Sequence, residues 1–321
     1  MDLIFTDTRR QDVGVLKDYT FDLAFGVDEN DFELTMDVKN HCCEADCLLY
    51  IENTEYGGII DGIGVITGTD QLIYFGRTWQ GLFESKIIEP DDGKAYLTVS
   101  GDANQIISDV IAKCGLSELF VASSAPSGLT IEGYSFNRYV GAYSGIKKML
   151  DAVDGKLKFS FAEGKVIVAA LPAVDYSQDE QFDSDGVEMT IQKSKNTVNH
   201  LICLGSGELT ERQVVHLYRD EKGNISGTKT FRGLGEFTKT FDYPNAESIE
   251  DLVEKGKEKF KEYANADKLQ TDFASEEVIY DVGDIVGGKE SITGIVVSEK
   301  ITKKIVTIRQ GEVNIQYKVG E

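Results

Sequence analysis

One stretch has the spacing of a nucleotide-binding loop: Gly283-Asp284-Ile285-Val286-Gly287-Gly288-Lys289. In such a loop the lysine reaches the phosphates, the next residue is a Ser or Thr that holds magnesium, and a helix begins there. Here the next residue is Glu290, whose carboxylate repels phosphate, and a β-branched run follows from Ile292 to Val297. The stretch is expected to be a glycine turn between two strands.

His41, Cys42, Cys43 and Cys47 form the only dense group of metal-ligand residue types. Standard zinc sites use two separated pairs of ligands. Strand alternation would also send Cys42 and Cys43 to opposite faces. Cys114, Cys203, His200 or His216 would have to complete a site from a distance. No metal is expected, and the thiols are read as small hydrophobes. His200 and His216 lie within the apolar runs Val198–Leu204 and Val214–Tyr218, as strand residues rather than general bases. No Gly-x-Ser-x-Gly elbow or His-Glu-x-x-His helix is present. The 55 acidic residues contain many carboxylate pairs, and nothing singles out two of them for glycoside hydrolysis. No catalytic, cofactor-binding or metal residue is assigned. Trp79, within Tyr74–Phe83, offers a sugar-stacking platform in principle, but such an aromatic cluster fits core or interface packing better.

The elements that carry these residues are mostly strands. Phe32, Leu34, Met36 and Val38 alternate with Asp31, Glu33, Thr35 and Asp37, the period of a strand with one wet face. Apolar runs at Leu48–Ile51, Ile59–Ile66 and Leu72–Thr78 follow, punctuated by Gly57-Gly58 and Gly68-Thr69-Asp70. The pattern then becomes helical. Asp102 is placed to cap, with Gln105 as a capping-box partner, before Ile106, Ile107, Val110, Ile111 and Cys114, and Gly115 stops the helix. A second helix is expected over Tyr143–Val153, then a hairpin of Leu157–Phe161 and Val166–Leu171 about Glu163-Gly164. Further strands are expected at Val187–Ile191, Val198–Leu204, Gln213–Leu217, Glu277–Tyr280, Ile292–Glu299, Ile301–Arg309 and Val313–Lys318. One amphipathic helix, with Ile249, Leu252, Val253, Gly256, Phe260 and Tyr263 on a face, interrupts them. The fold class is β-rich α+β. The expected domains are a β-barrel over 1–97, an α+β domain over 98–174, and a second β-barrel over 175–321 with a loop and helix insert at about 219–268.

Composition narrows the function classes. The balance of 33 basic and 55 acidic residues, −22, repels nucleic acid, although it would suit the wall of a channel that passes DNA without binding it. Five cysteines in 321 residues do not make a disulfide framework. The start, Met1-Asp2-Leu3-Ile4-Phe5-Thr6-Asp7, lacks the basic and apolar segments of a signal peptide, and no apolar stretch approaches a membrane span. Folding in a reducing cytoplasm is expected, without membrane insertion.

A set of segments carries a family likeness. In order these are Leu3–Phe5, Gly14-Val15-Leu16-Lys17-Asp18-Tyr19-Thr20, Asp31-Phe32-Glu33-Leu34, Gly58-Ile59-Ile60-Asp61-Gly62-Ile63, Phe75-Gly76-Arg77, Gly81-Leu82-Phe83 and Lys86-Ile87-Ile88. They resemble the N-terminal part of siphophage tail proteins of the Gp37-like family, a group akin to the baseplate hub of contractile-tailed phages. Asn199–Gly205 and Tyr280–Val286 resemble the closing β domain of such hubs. The resemblance implies a structural hub subunit of a phage or prophage tail tip, not an enzyme. It implies a homotrimeric ring that continues the tail tube, with DNA only in passage. The partners would be other tail proteins: the distal tail or tube protein, the tape measure, and a fibre or spike. The chain would assemble in the host cytoplasm and reside in the virion tail tip. Because Glu321 follows directly on the last strand, the C-terminal lysin or fibre extension of some members is not expected. A cell-wall hydrolase and a carbohydrate-binding module around Trp79 are the alternatives.

Overall fold

The computed structural model describes residues 1–27, 29–177, 181–183, 189–192, 198–220, 222–263, 268–274 and 278–320. The chain forms two compact units. The larger comprises Met1–Met189, Gln270–Lys289 and Ser298–Glu321, and the smaller comprises Thr190–Leu269 and Glu290–Val297.

The larger unit opens with seven strands, β1 (Ile4–Thr6), β2 (Asp12–Val15), β3 (Tyr19–Gly26), β4 (Asp31–Asp37), β5 (Leu48–Tyr50), β6 (Gly57–Ile66) and β7 (Gln71–Thr78), and a short helix α1 (Trp79–Glu84). The alternation read in the sequence is realised on β4, where Phe32, Leu34 and Met36 are buried while Asp31 and Glu33 are exposed. Thr78 caps α1 by accepting the Gly81 N–H at 3.4 Å. The chain continues through β8 (Ile87–Ile88), β9 (Thr98–Asp102), α2 (Ala103–Lys113), β10 (Phe120–Ala122), β11 (Thr130–Ser135), β12 (Val140–Gly141), α3 (Ala142–Asp151), β13 (Gly155–Ala162), β14 (Lys165–Pro172) and β15 (Gln181–Asp183). Asp102 caps α2 as expected, accepting the Asn104 N–H at 2.9 Å, and Gly115 ends it at φ 68°. The capping box does not form: the Gln105 side chain donates forward to Asp109 instead. The hairpin β13–β14 turns through Glu163 and Gly164, at φ 52° and 73°. Two positive φ values in a two-residue loop match the strand twist. One hydrophobic core runs from Leu48 and Trp79 through α2 and α3 to Phe159, Phe161 and Ala170.

Then follow β16 (Met189–Gln192), β17 (His200–Leu204), β18 (Val214–Arg219), β19 (Ile225–Ser226), β20 (Thr238–Asp242) and α4 (Ile249–Glu262). In the smaller unit the sheet order is β19-β18-β17-β20. Leu201, Cys203 and Leu217 form a small core with Leu252 and Phe260 of α4. Gly256 sets the approach of helix to sheet: a Cβ there would lie 2.5 Å from Cys203 Sγ.

The last strands are β21 (Lys268–Ala274), β22 (Ile285–Lys289), β23 (Val296–Arg309) and β24 (Glu312–Val319). In the larger unit they join the first seven in one sheet, β21-β24-β23-β3-β4-β7-β6-β5-β1-β2, with β22 on β23 and β15 on β22. The joint is the antiparallel pair β3–β23, from Lys303 opposite Gly26 to Arg309 opposite Thr20. The β-rich α+β class is thus realised, and the pairings among the described residues follow an open path.

Several expectations are corrected. Residues 278–280 are not a strand. Tyr280 is instead buried edge-on against Phe273 and Tyr317, at 5.6 and 5.4 Å between ring centroids; Glu277 lies outside the described residues. The two strands expected at Ile292–Glu299 and Ile301–Arg309 are one strand, β23. Its apolar start at Ile292 is an exposed turn, because Glu290 accepts the N–H groups of Ile292 and Thr293. Of Val187–Ile191, residues 187 and 188 lie outside the described residues, and β16 begins at Met189. The Gly283–Lys289 stretch is a turn only at Gly283, at φ 101°; Gly287 and Gly288 lie within β22, paired with Gln181 and Phe182.

Candidate functional site

The strongest concentration of charge in the interior gathers on the residues of the loop look-alike. Asp284, whose side chain is 1 % exposed, and Asp281 both hold Lys156 on β13. Lys156 Nζ donates to Asp284 at 2.8 and 2.9 Å and lies 2.8 Å from Asp281. The remaining capacity of Asp284 is filled by the N–H groups of Val174 and Asp281, each at 2.9 Å. The carboxylate therefore organises a turn and clamps a lysine, where a phosphate loop would keep its amides free. Burial opposes charge on both partners. The hydrogen bonds between them outweigh it, holding Lys156 above and Asp281 below its ordinary range.

A second buried cation lies on β23. Lys304, 2 % exposed, donates to Glu55 at 2.7 Å beside the rings of Tyr56 and Tyr317. Burial works against its charge, and the nearby Glu55 carboxylate more than offsets this, raising its pKa. Both pairs join segments more than 120 residues apart in sequence, so no local pattern announces them. Their carboxylates are neutralised by lysine.

The cysteine group is organised by Tyr74 on β7. Its hydroxyl accepts the N–H groups of Cys42 and Cys43 at 3.0 and 3.1 Å and meets His41 Nδ1 at 2.8 Å. Cys43 and Cys47 are buried and Cys42 is exposed. Burial is the main cause that raises the Cys43 and Cys47 thiols. Trp79 is wholly buried and stacks on Phe161 at 5.3 Å. Its face meets protein, so the sugar platform considered for it is not available. Gly57 permits this packing, because a Cβ there would lie 2.7 Å from the indole.

In the smaller unit the two strand histidines are brought together, which the sequence reading missed. His200 Nε2 lies 2.8 Å from His216 Nδ1, and His200 Nδ1 lies 2.8 Å from Glu236 and 2.9 Å from Thr238 Oγ1. The ring of His200 stacks on Tyr218 at 4.4 Å. A carboxylate at Nδ1 fixes that proton there, leaves Nε2 as an acceptor, and makes His216 Nδ1 the donor. The one available signal was register. Once Leu201 is set opposite Leu217, Ile202 faces His216 and the two histidines become diagonal neighbours. The chain ends at His216 with no hydroxyl or thiol bonded to it among the described residues. Cys203 lies on the other face of this sheet, under α4, its thiol pushed up to about 11 by burial.

The wet face of the larger sheet sets acids side by side at β3 and β4. Asp22 on β3 stands directly opposite Glu33 on β4, and Asp31 stands opposite Arg77, whose guanidinium grips Asp61 at 2.8 and 2.6 Å. Like charges directly opposite each other destabilise a sheet. Thr307 donates to Asp22 at 2.6 Å, which offsets part of that cost.

No protein-family model matches the sequence, and no curated protein does. Among the solved structures whose fold is similar over nearly all of both chains are three tail proteins. One is the tail protein from Neisseria meningitidis MC58, at 13 % identity and TM-score 0.52, over 100 % of this chain and 96 % of that one. Another is the 43 kDa tail protein of prophage MuSo2 from Shewanella oneidensis, at 9 % and 0.56, over 99 % and 98 %. The third is prophage tail protein gp18 from Listeria monocytogenes EGD-e, at 12 % and 0.57, over 99 % and 94 %. What is shared is a fold found in phage tail proteins.

Proposed function

We propose that this chain is a structural hub subunit of a phage or prophage tail tip, of the Gp37-like kind that its N-terminal segments resemble. The observation that carries the reading is the end-to-end fold likeness to three tail proteins, at TM-scores of 0.52 to 0.57. In this reading the β domains of 1–97 and 175–321 are barrel-like modules of a trimeric ring that continues the tail tube, and 98–174 packs as the α+β domain. The chain's net charge of −22 suits a wall past which DNA slides, because fixed negative charge repels the phosphate backbone. The partners are other tail proteins, and the role is structural rather than catalytic.

The test is co-expression with the tail proteins encoded beside it, followed by sedimentation and electron microscopy. The expected result is a closed ring or a ring-bearing tail-tip complex. A chain that stays monomeric and binds no tail component would sink the reading. A clear lytic band on a peptidoglycan zymogram would replace it with a hydrolase.

A further inference from the structure

The smaller unit is close to neutral in sum but not in layout, because its sheet has two unlike ends. At one end residues 205–213 join β17 to β18, and the Tyr243 N–H donates to the Leu204 carbonyl at 2.8 Å. The start of α4 lies at that end too: a Cβ on Gly205 would be 2.9 Å from Leu252. At the other end residues 227–237 lead into Thr238, which stands opposite His200. The last turn of α4 reaches this end, where Lys239 Nζ lies 4.4 Å from the ring of Tyr263. Residues 205–213 and 242–251 together hold one base and six acids, 1 − 6 = −5. Residues 219–239 and 257–263 hold eight bases and five acids, 8 − 5 = +3. One end is acidic and the other basic.

Each end also presents a leucine on a braced loop. Leu209 at the acidic end and Leu234 at the basic end are 94 and 101 % exposed, so neither packs on the chain that bears it. Isolated exposed leucines are common, but these two are held in place. Leu209 takes φ 49°, a left-handed conformation that is costly for a bulky side chain. Gly207 beside it has φ 96° and no room for a Cβ, which would lie 2.5 Å from the Glu211 carbonyl. Arg212 Nε ties the same loop to the Gly205 carbonyl at 3.1 Å. On the other loop Asn199 Nδ2 donates to the Gly235 carbonyl at 2.7 Å, and Asn199 Oδ1 accepts the Phe237 N–H at 2.9 Å. Glu208 and Glu211 beside Leu209, and Arg232 beside Leu234, hold no ion pair among the described residues.

We propose that the Leu209 end of one copy's smaller unit docks on the Leu234 end of the next copy's. The two tips meet leucine to leucine, with Glu208 and Glu211 facing Arg232. A second copy is the occupant because it satisfies both ends at once, whereas a partner of one sign satisfies only one. Pairing like ends across a two-fold axis would set −5 against −5 or +3 against +3. The contact is head-to-tail, the kind that closes into a ring when its rotation permits. It rests on the ring reading above and supplies a joint between neighbouring copies.

The test is sedimentation velocity of the full chain at low and high salt, with and without the co-expressed tail proteins. Neither leucine touches its own chain, so Leu209→Ser and Leu234→Ser are expected to melt like the parent while each weakens self-association by about tenfold or more. Arg232→Glu, or Glu208→Lys with Glu211→Lys, is expected to weaken it similarly. All three reversals in one chain are expected to restore it, because each tip then meets its exchanged opposite. Raised salt should weaken the parent assembly. An assembly unmoved by either leucine variant overturns the contact and leaves the hub reading standing. Charge reversals that weaken the assembly separately and fail to restore it together also overturn the pairing of these two ends. A monomer at every concentration and salt, with tail partners present, overturns contact and hub together.

Discussion

The two units hold themselves together in different ways, beginning with charge. The smaller unit has 13 basic and 14 acidic residues, a balance of 13 − 14 = −1. The other −21 of the chain's −22 therefore belongs to the larger unit. The larger unit places acid on a wet sheet face and also takes charge inside, on Lys156, Asp284 and Lys304. The smaller unit closes a compact apolar core under one helix and keeps its polar chain of Glu236, His200 and His216 on the opposite side of its sheet. An acid excess is thus a property of one unit rather than of the chain. The interior of that unit depends on bases placed to meet its carboxylates.

The largest expected effect follows from that dependence. Lys156→Met would leave Asp284 charged beneath the surface without its cation, and Asp281 with only the more exposed Lys158 at 3.1 Å, at a cost of about 3–5 kcal/mol. Denaturant unfolding would read the loss, and amide hydrogen exchange would place it in the larger unit. Replacing Asp281 by Leu and Asp284 by Asn as well is expected to recover much of it, because this removes the unpaired charge while Asn keeps an acceptor for a backbone N–H that Asp284 holds. A loss spread equally over the amides of both units would break the contrast drawn here.

The smaller unit should fail by packing instead. At Gly256 a Cβ already meets Cys203 Sγ at 2.5 Å and Leu217 Cδ1 at 2.8 Å. Gly256→Val therefore forces α4 away from the sheet and costs about 1–3 kcal/mol by overpacking. Protection should fall in β17 and β18 while β3 and β4 keep theirs. If Gly256→Val costs nothing, helix and sheet are less closely packed than the geometry states.

These contrasts differ in how far the sequence shows them. Local features were legible: the period of β4, the helix over Ile106–Cys114, the turn at Glu163-Gly164 and the α4 stripe. Each depends on residues within a few positions of one another. The closure of the larger sheet through β3 and β23, the Lys156 clamp and the His200–His216 link were not legible, because each joins segments whose adjacency only the fold creates. The strand expected at residues 278–280 failed because Tyr280 is apolar for packing against Phe273 and Tyr317, not for pairing. Asp102 stands between these cases. Its cap on Asn104 was read correctly, but the same carboxylate also accepts the N–H and hydroxyl of Ser127, at 2.9 and 2.8 Å. Asp102→Ala should cost about 1 kcal/mol for the cap. Asp102→Asn, which keeps an accepting oxygen, should recover most of that in thermal melts. Equal losses in the two variants would show that charge toward Ser127 matters more than the cap.

Acid should separate the units with the smallest perturbation. Burial is the main cause holding His200 below the ordinary histidine value, against the pull of Glu236. A group whose pKa is depressed by folding contributes stability that is fully present above its unfolded pKa, about 6.5 for histidine, and is lost as pH falls from there through its lower folded value. The groups facing His200 are Glu236, Thr238, His216, Tyr218 and, through Glu236, Lys229. Two protonated rings cannot both donate across the His200–His216 contact, so a second proton opens it. In the larger unit the sign is the same but the window is lower: Asp281 is depressed from a value near 4, and its contribution persists until pH falls below that. Raised Lys156 and Lys304 keep their contributions until the medium is strongly alkaline. Hydrogen exchange at pH 7.5 and pH 5.5, corrected for the intrinsic rate, should therefore show β17 and β18 loosening while β3, β4 and β23 hold. His200→Gln, which keeps a hydrogen-bonding side chain but cannot titrate, should flatten the response of β17 and β18. A response that survives His200→Gln would move the acid sensitivity elsewhere in the smaller unit and remove the histidine link from the comparison.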